Sequence, residues 1–168
     1  MLYARLRSPR NRHASRKKGV ARMSKALIVY VSRTGETHEI GNLIAEGLRM
    51  SGIETSVLEA KAIQRESDLE GYEALVLGSA TYHGEMMQGM KTFLFMAEKA
   101  KLEGKVGAAF GAFGWSGEAP DRIYDTMQHI FKMKMVGQPL RLKSSRIQGG
   151  IKVAQDYGKE IAKKLMAS

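Results

Sequence analysis

The run "ALIVYV", residues 26–31, is apolar throughout apart from one phenol. A strand with one face in water alternates apolar and polar side chains; a continuous apolar run must be covered on both faces. A different period follows at once. Ile40, Leu43, Ile44, Gly47 and Leu48 recur at the spacing of one helical face across residues 36–50. The same change of period repeats down the chain. Strands are predicted at 52–60, 73–79, 105–114 and 136–142, the last with Pro139 marking an edge position. Helices are predicted around Met87, Met90, Phe93, Leu94 and Ala97, around Ile123, Met127, Ile130 and Phe131, and around Ala154, Tyr157, Ile161, Ala162 and Leu165. A polar stretch at 61–72 has room for a short helix. Strands alternating with helices predict an α/β doubly wound parallel sheet with helices on both faces.

The chain has 168 residues, enough for one domain, and no internal repeat. It has no cysteine, which excludes disulfides, thiolate metal sites and cysteine catalysis. No apolar run approaches the roughly 18 residues of a membrane span, so a soluble, cytoplasmic protein is expected. The net charge of +10 is unevenly placed. Residues 1–22 carry eight Lys or Arg and no acid; taking these eight from the 27 basic residues leaves 19 against 17 acids, or +2. Residues 1–22 are therefore expected to form a basic, disordered arm before a domain at 23–168. Met23 as the true start and an arm that binds an anionic surface remain open as alternatives. No nucleic-acid-binding motif follows the arm.

In doubly wound sheets, ligands bind beyond the carboxyl ends of the strands. Three of these ends carry unusual chemistry. After the first strand comes "SRTGET", residues 32–37. Its glycine allows a tight curl, and the following helix offers unpaired N–H groups and a positive dipole end. A simple helix cap needs one hydroxyl. Three hydroxyls around a glycine favour a phosphate nest, with the Arg33 side chain expected to point to solvent. The loop is neither a Walker A sequence nor a dinucleotide-binding G-x-G-x-x-G. After the fourth strand, "GAFGWSGEA" at 111–119 holds the sole tryptophan among Gly111, Gly114 and Gly117. Packing is the commoner role of such a tryptophan, but close backbone approach at glycines favours stacking on a flat ring. After the third strand, "SATYHGEMM" at 79–87 offers Tyr82 as a second ring. His83 has no metal-binding companion at useful spacing. A ligand with a phosphate tail and a flat ring fits these loops, FMN best.

The segment "VYVSRTGETHEIGNLIAEGL" resembles the [ST]-x-T-G-x-T phosphate loop and first helix of flavodoxins. "LVLGSATYHG" is similar to their second flavin loop, and "GAAFGAFGWSGEA" is similar to the flavodoxin-like domain of flavodiiron proteins. The resemblance covers residues 25–165 and implies a five-stranded flavodoxin-like sheet in the order 2-1-3-4-5, of the short-chain type, with one FMN. It implies that Ser32, Thr34 and Thr37, with the backbone of Arg33, Gly35 and Glu36, hold the phosphate. It implies that Ser79, Ala80, Thr81, Tyr82, His83 and Gly84 on one side, and Phe113, Gly114, Trp115, Ser116 and Gly117 on the other, hold the ring. Two departures stand out. Ala80 replaces the proline usual in flavodiiron relatives, and His83 separates the loop aromatic from its glycine.

The resemblance implies an electron carrier that shuttles single electrons between redox protein partners, with no general acid or base of its own. An apolar pocket near Glu85 and Glu118 would disfavour added negative charge and lower the second reduction potential. The alternative from the enzyme class is an FMN-dependent NAD(P)H:quinone-type reductase. A docking module that has lost its flavin is the third reading. No diiron ligand set is present in the sequence.

Overall fold

A computed structural model describes residues 24–114, 116–146 and 148–167. The basic arm expected at 1–22 and the candidate Trp115 lie outside the described residues. The elements are β1 (Lys25–Val31), α1 (Glu36–Met50), β2 (Glu54–Glu59), β3 (Ala74–Ser79), a hairpin of β4 (Thr81–Tyr82) and β5 (Glu85–Met86), α2 (Gln88–Ala97), β6 (Val106–Ala112), α3 (Glu118–Asp125), β7 (Lys134–Met135), β8 (Leu140–Leu142) and α4 (Gly150–Ala167). The polar 61–72 region forms two short 3-10 turns, Ala60–Ala62 and Glu66–Leu69.

The main sheet is parallel, in the order β2-β1-β3-β6, with β7 and β8 both pairing β6 beyond it. This is the expected 2-1-3-4-5 order with its fifth strand in two pieces. Alternate residues of each strand enter opposite layers. Ala26, Ile28, Val76 and Phe110 pack under α1 and α4; Leu27, Val29, Leu77 and Ala109 pack under α2 and α3. Fully burying each such Leu, Ile or Phe contributes about 1.5–3 kcal/mol. The continuous apolar runs follow from this two-sided burial. Gly47 of α1 and Gly158 of α4 let the two helices meet backbone to backbone: a Cβ on Gly158 would overlap the Ile44 carbonyl oxygen, and one on Gly47 the Gln155 carbonyl oxygen. Among the described residues no helix is long and apolar enough to cross a membrane.

Two local expectations need correction. Ile123, Met127 and Phe131 are buried, but Ile130 is 56% exposed. A π turn at Thr126–Ile130, closed by the Phe131 N–H on the Thr126 carbonyl, adds a residue to the turn and rotates Ile130 off the inner face. The strand expected at 136–142 is interrupted: its ladder runs at Lys134–Met135, breaks, and resumes at Leu140–Leu142. Gly137 has φ +49 and Pro139 has no N–H, so neither continues a ladder.

Phenols from both helical layers hold this break. Tyr124 of α3 donates to the Gly137 carbonyl at 2.8 Å, and Tyr157 of α4 donates to the carbonyls of Gln138 and Ala109, both at 3.1 Å. Burial pushes the Tyr157 phenol well above the ordinary tyrosine value of 10.0. Its folded-state pKa exceeds its unfolded one, so its contribution is intact below the unfolded value and is lost as pH rises above it. Tyr157→Phe is therefore expected to flatten the alkaline limb of a stability–pH profile above about pH 10, and to cost about 1 kcal/mol at neutral pH. Urea midpoints across pH check this; an unchanged alkaline limb would refute it.

Candidate functional site

At the carboxyl end of the sheet, β1, β3 and β6 stop together, and the three loops predicted from the sequence face one another. They wall a cavity of about 560 Å³, within the range of roughly 300–1,000 Å³ common for small-molecule sites. Arg33, Thr34 and Glu36 come from the first loop, Ala80 to Gly84 from the second, and Phe113, Gly114 and Ser116 from the third.

In the first loop the Ser32 hydroxyl accepts the Gly35 N–H at 2.9 Å, and Gly35 turns at φ +91 directly before α1. No side chain caps α1. Its first-turn amides are therefore left for a ligand or water, which the simple capping reading does not account for. Thr34 lines the cavity. Thr37 does not: it is 1% exposed, and its hydroxyl accepts the Ala112 N–H at 3.5 Å. The three hydroxyls thus divide. Thr34 faces the space, Ser32 shapes the loop, and Thr37 ties helix to strand beneath it.

The second loop folds into the β4–β5 hairpin. His83 (φ 50) and Gly84 (φ 74) are its two turn residues, the left-handed pair that a tight two-residue hairpin needs. His83 is thus a backbone requirement before it is a side chain. Ser79 is fully buried and outside the cavity wall; its hydroxyl donates to the Ala80 carbonyl and accepts the Met87 N–H, each at 2.9 Å. It fastens the two ends of the loop. Thr81 accepts the Ala119 N–H at 3.1 Å, joining the second loop to the third.

Arg33 is exposed, as expected, and its side chain lies along the surface against an exposed ring. Its guanidinium lies 4.3 Å from the centroid of the Tyr82 ring, a cation–π contact between two residues that line the cavity. Of the three glycines read as close-approach points, Gly114 alone has open space beside it. A Cβ on Gly111 would overlap the Ser79 carbonyl oxygen, and one on Gly117 would meet the Arg141 Cδ at 3.0 Å. These two glycines serve packing between elements.

The expected acidic influence on the ring also changes. Glu85 is outside the cavity wall and is neutralised by Lys91 at 2.8 Å and Arg122 at 2.9 Å. The Lys91 hydrogen bond, and then the Arg122 charge, hold its carboxyl below the usual range. The Ser116 hydroxyl does the same first for Glu118. Lys143, which sequence reading missed, completes the wall. It is the first residue after β8, so the strand-end rule applied to the fifth strand would have found it.

The cavity wall combines an uncapped helix N-terminus and the Thr34 hydroxyl with an aromatic ring and glycine backbone. These features fit a phosphate tail and a flat ring. A family model described as a flavodoxin domain matches residues 27–155. The type A flavoprotein fprA of Rhodobacter capsulatus is 32% identical over 140 residues, covering 81% of this chain and 32% of that protein. An NAD(P)H dehydrogenase (quinone) of Azorhizobium caulinodans is 28% identical over 158 residues, covering 76% of this chain and 79% of that protein. The chain thus spans about a third of the length of the first. Among solved structures, a flavodoxin from the domain Archaea superposes with a TM-score of 0.80 at 29% identity, covering 84% of this chain and 99% of that one. With the matched model spanning most of the sheet and all three loops, the chain belongs to the flavodoxin domain family, whose members bind FMN.

Proposed function

We propose that this chain holds one FMN in the three-loop cavity and carries single electrons between redox protein partners. The observation that carries the reading is the make-up of the wall: an uncapped α1 N-terminus beside Thr34, together with Tyr82 and the open Gly114 backbone. Bound FMN supplies one- and two-electron redox chemistry; the chain supplies binding and electrostatics. Ser32 keeps the first loop curled so that its amides converge on the phosphate. The paired loops, fastened by Ser79 and Thr81, keep water from the ring's faces. For Tyr82 to present its face to a flavin, Arg33 must yield its place over the ring.

The likeness to an NAD(P)H dehydrogenase (quinone) over most of both chains favours a second reading, a reductase with substrate room above the ring. An anaerobic reductive titration of the FMN-loaded protein separates the two. Two well-separated one-electron potentials are expected for the carrier. A single two-electron step with rapid NAD(P)H-dependent quinone turnover would replace it with the reductase. Failure to take up FMN at all would overturn both.

A further inference from the structure

We propose that Lys143 is a further binding residue of this cavity, recognising the phosphate monoester of the flavin by charge. The inference rests on the FMN reading above and adds a cation to a phosphate site that the sequence motif builds from hydroxyls and amides alone.

The backbone on either side of Lys143 is anchored. The Phe113 N–H donates to the Leu142 carbonyl at 3.1 Å, fixing the preceding residue to the third loop. The Ser144 hydroxyl donates to Glu36 Oε2 at 2.9 Å, fixing the following residue to the first turn of α1. Lys143 is thus held between the third loop and the first turn of α1, and it lines the cavity.

The neighbouring charges are already engaged. Arg141 pairs with Asp121 at 3.0 Å, Arg146 lies 3.9 Å from Glu39, and Lys91 and Arg122 share Glu85. Arg33 lies over Tyr82. Among the described residues Lys143 has no carboxylate partner, so an incoming anion does not have to break an ion pair to reach it. Glu36 lines the same cavity and on its own would repel a phosphate. Lys143 offsets that charge. A phosphate monoester carries about −1.5 to −2 at pH 7, which a lone neutral nest neutralises only in part.

Riboflavin, which has the ring and lacks the phosphate, supplies the test. Lys143→Gln is expected to weaken FMN binding about tenfold at low ionic strength, the scale of one lost charge-assisted contact. Riboflavin binding should stay within about twofold, and Lys143→Arg should keep most of the FMN affinity. The FMN gap between parent and K143Q should narrow at about 1 M salt, where screening reaches about 3 Å. Lys143 is exposed and has no ion pair among the described residues, so a matching thermal melt checks that K143Q folds as its parent does. Equal weakening of FMN and riboflavin, or no weakening of FMN, overturns the inference while leaving FMN binding intact. A parent protein that takes up neither flavin overturns the FMN reading, and this inference with it.

Discussion

Gly158→Ala is expected to lower the unfolding free energy by about 3 kcal/mol, at the upper end of what overpacking costs. The usual sign for this change is the reverse. In a helix interior, alanine is favoured over glycine by about 0.5–1 kcal/mol. Here the new methyl would overlap the Ile44 carbonyl oxygen, with the Leu48 backbone nitrogen 2.9 Å away. Backbone cannot swing aside like a side chain, so α4 must move off α1. That movement would also open the core beneath, where Ile40, Ile44, Tyr157 and Ile161 meet. Gly89→Ala on α2 is the control. Its methyl would meet only the Val31 side chain, at 3.3 Å, and the change should be nearly neutral. Denaturant midpoints at equal slope decide the matter; a G158A protein as stable as its parent would show that the helix contact is looser than described.

The second large effect is expected from Gly111→Ala, and it should reach the cavity as well as stability. A Cβ at this site overlaps the Ser79 carbonyl oxygen and comes within 2.9 Å of the Pro120 ring. Ser79 anchors the base of the second loop and Pro120 lies in the first turn of α3, just beyond the third. Separating them should spread the two loops proposed to hold the ring. FMN affinity should fall more than tenfold, with a stability loss of about 2 kcal/mol. Riboflavin should suffer in proportion, unlike the case of Lys143→Gln. Fluorescence titration with both flavins measures this. An unaltered affinity in a destabilised variant would mean that the two loops are positioned independently.

The sequence made the sheet legible because two-sided burial leaves a plain mark: unbroken apolar runs such as "ALIVYV" and "ALVLG". The positions of the three loops were legible for the same reason, since each begins where a run ends. What each loop residue does was less legible. Ser32, Thr37 and Ser79 all carry hydroxyls near strand ends, yet each is committed to a protein partner: the Gly35 N–H, the Ala112 N–H, and the Met87 N–H with the Ala80 carbonyl. Residue type alone does not say which way a hydroxyl faces. Gly111 and Gly114 look alike in the sequence and differ only in what stands beside them. The exposure of Ile130 depends on one extra residue in a turn, below the resolution of a periodicity argument. His83 shares the left-handed turn of the β4–β5 hairpin with Gly84, a backbone role that asparagine or aspartate would announce in a sequence and histidine does not.

The divided fifth strand bears on how the protein behaves in a crowd. The last strand of an open sheet shows a free row of amides and carbonyls, on which another chain can add a strand and begin a fibre. Here that row is never more than three residues long. The Gly137 and Gln138 carbonyls in the gap already accept from Tyr124 and Tyr157, and Pro139 has no N–H to give. An incoming strand would find its register broken halfway along. The kink that defeats a simple reading of residues 136–142 thus also blunts this rim of the sheet against self-assembly.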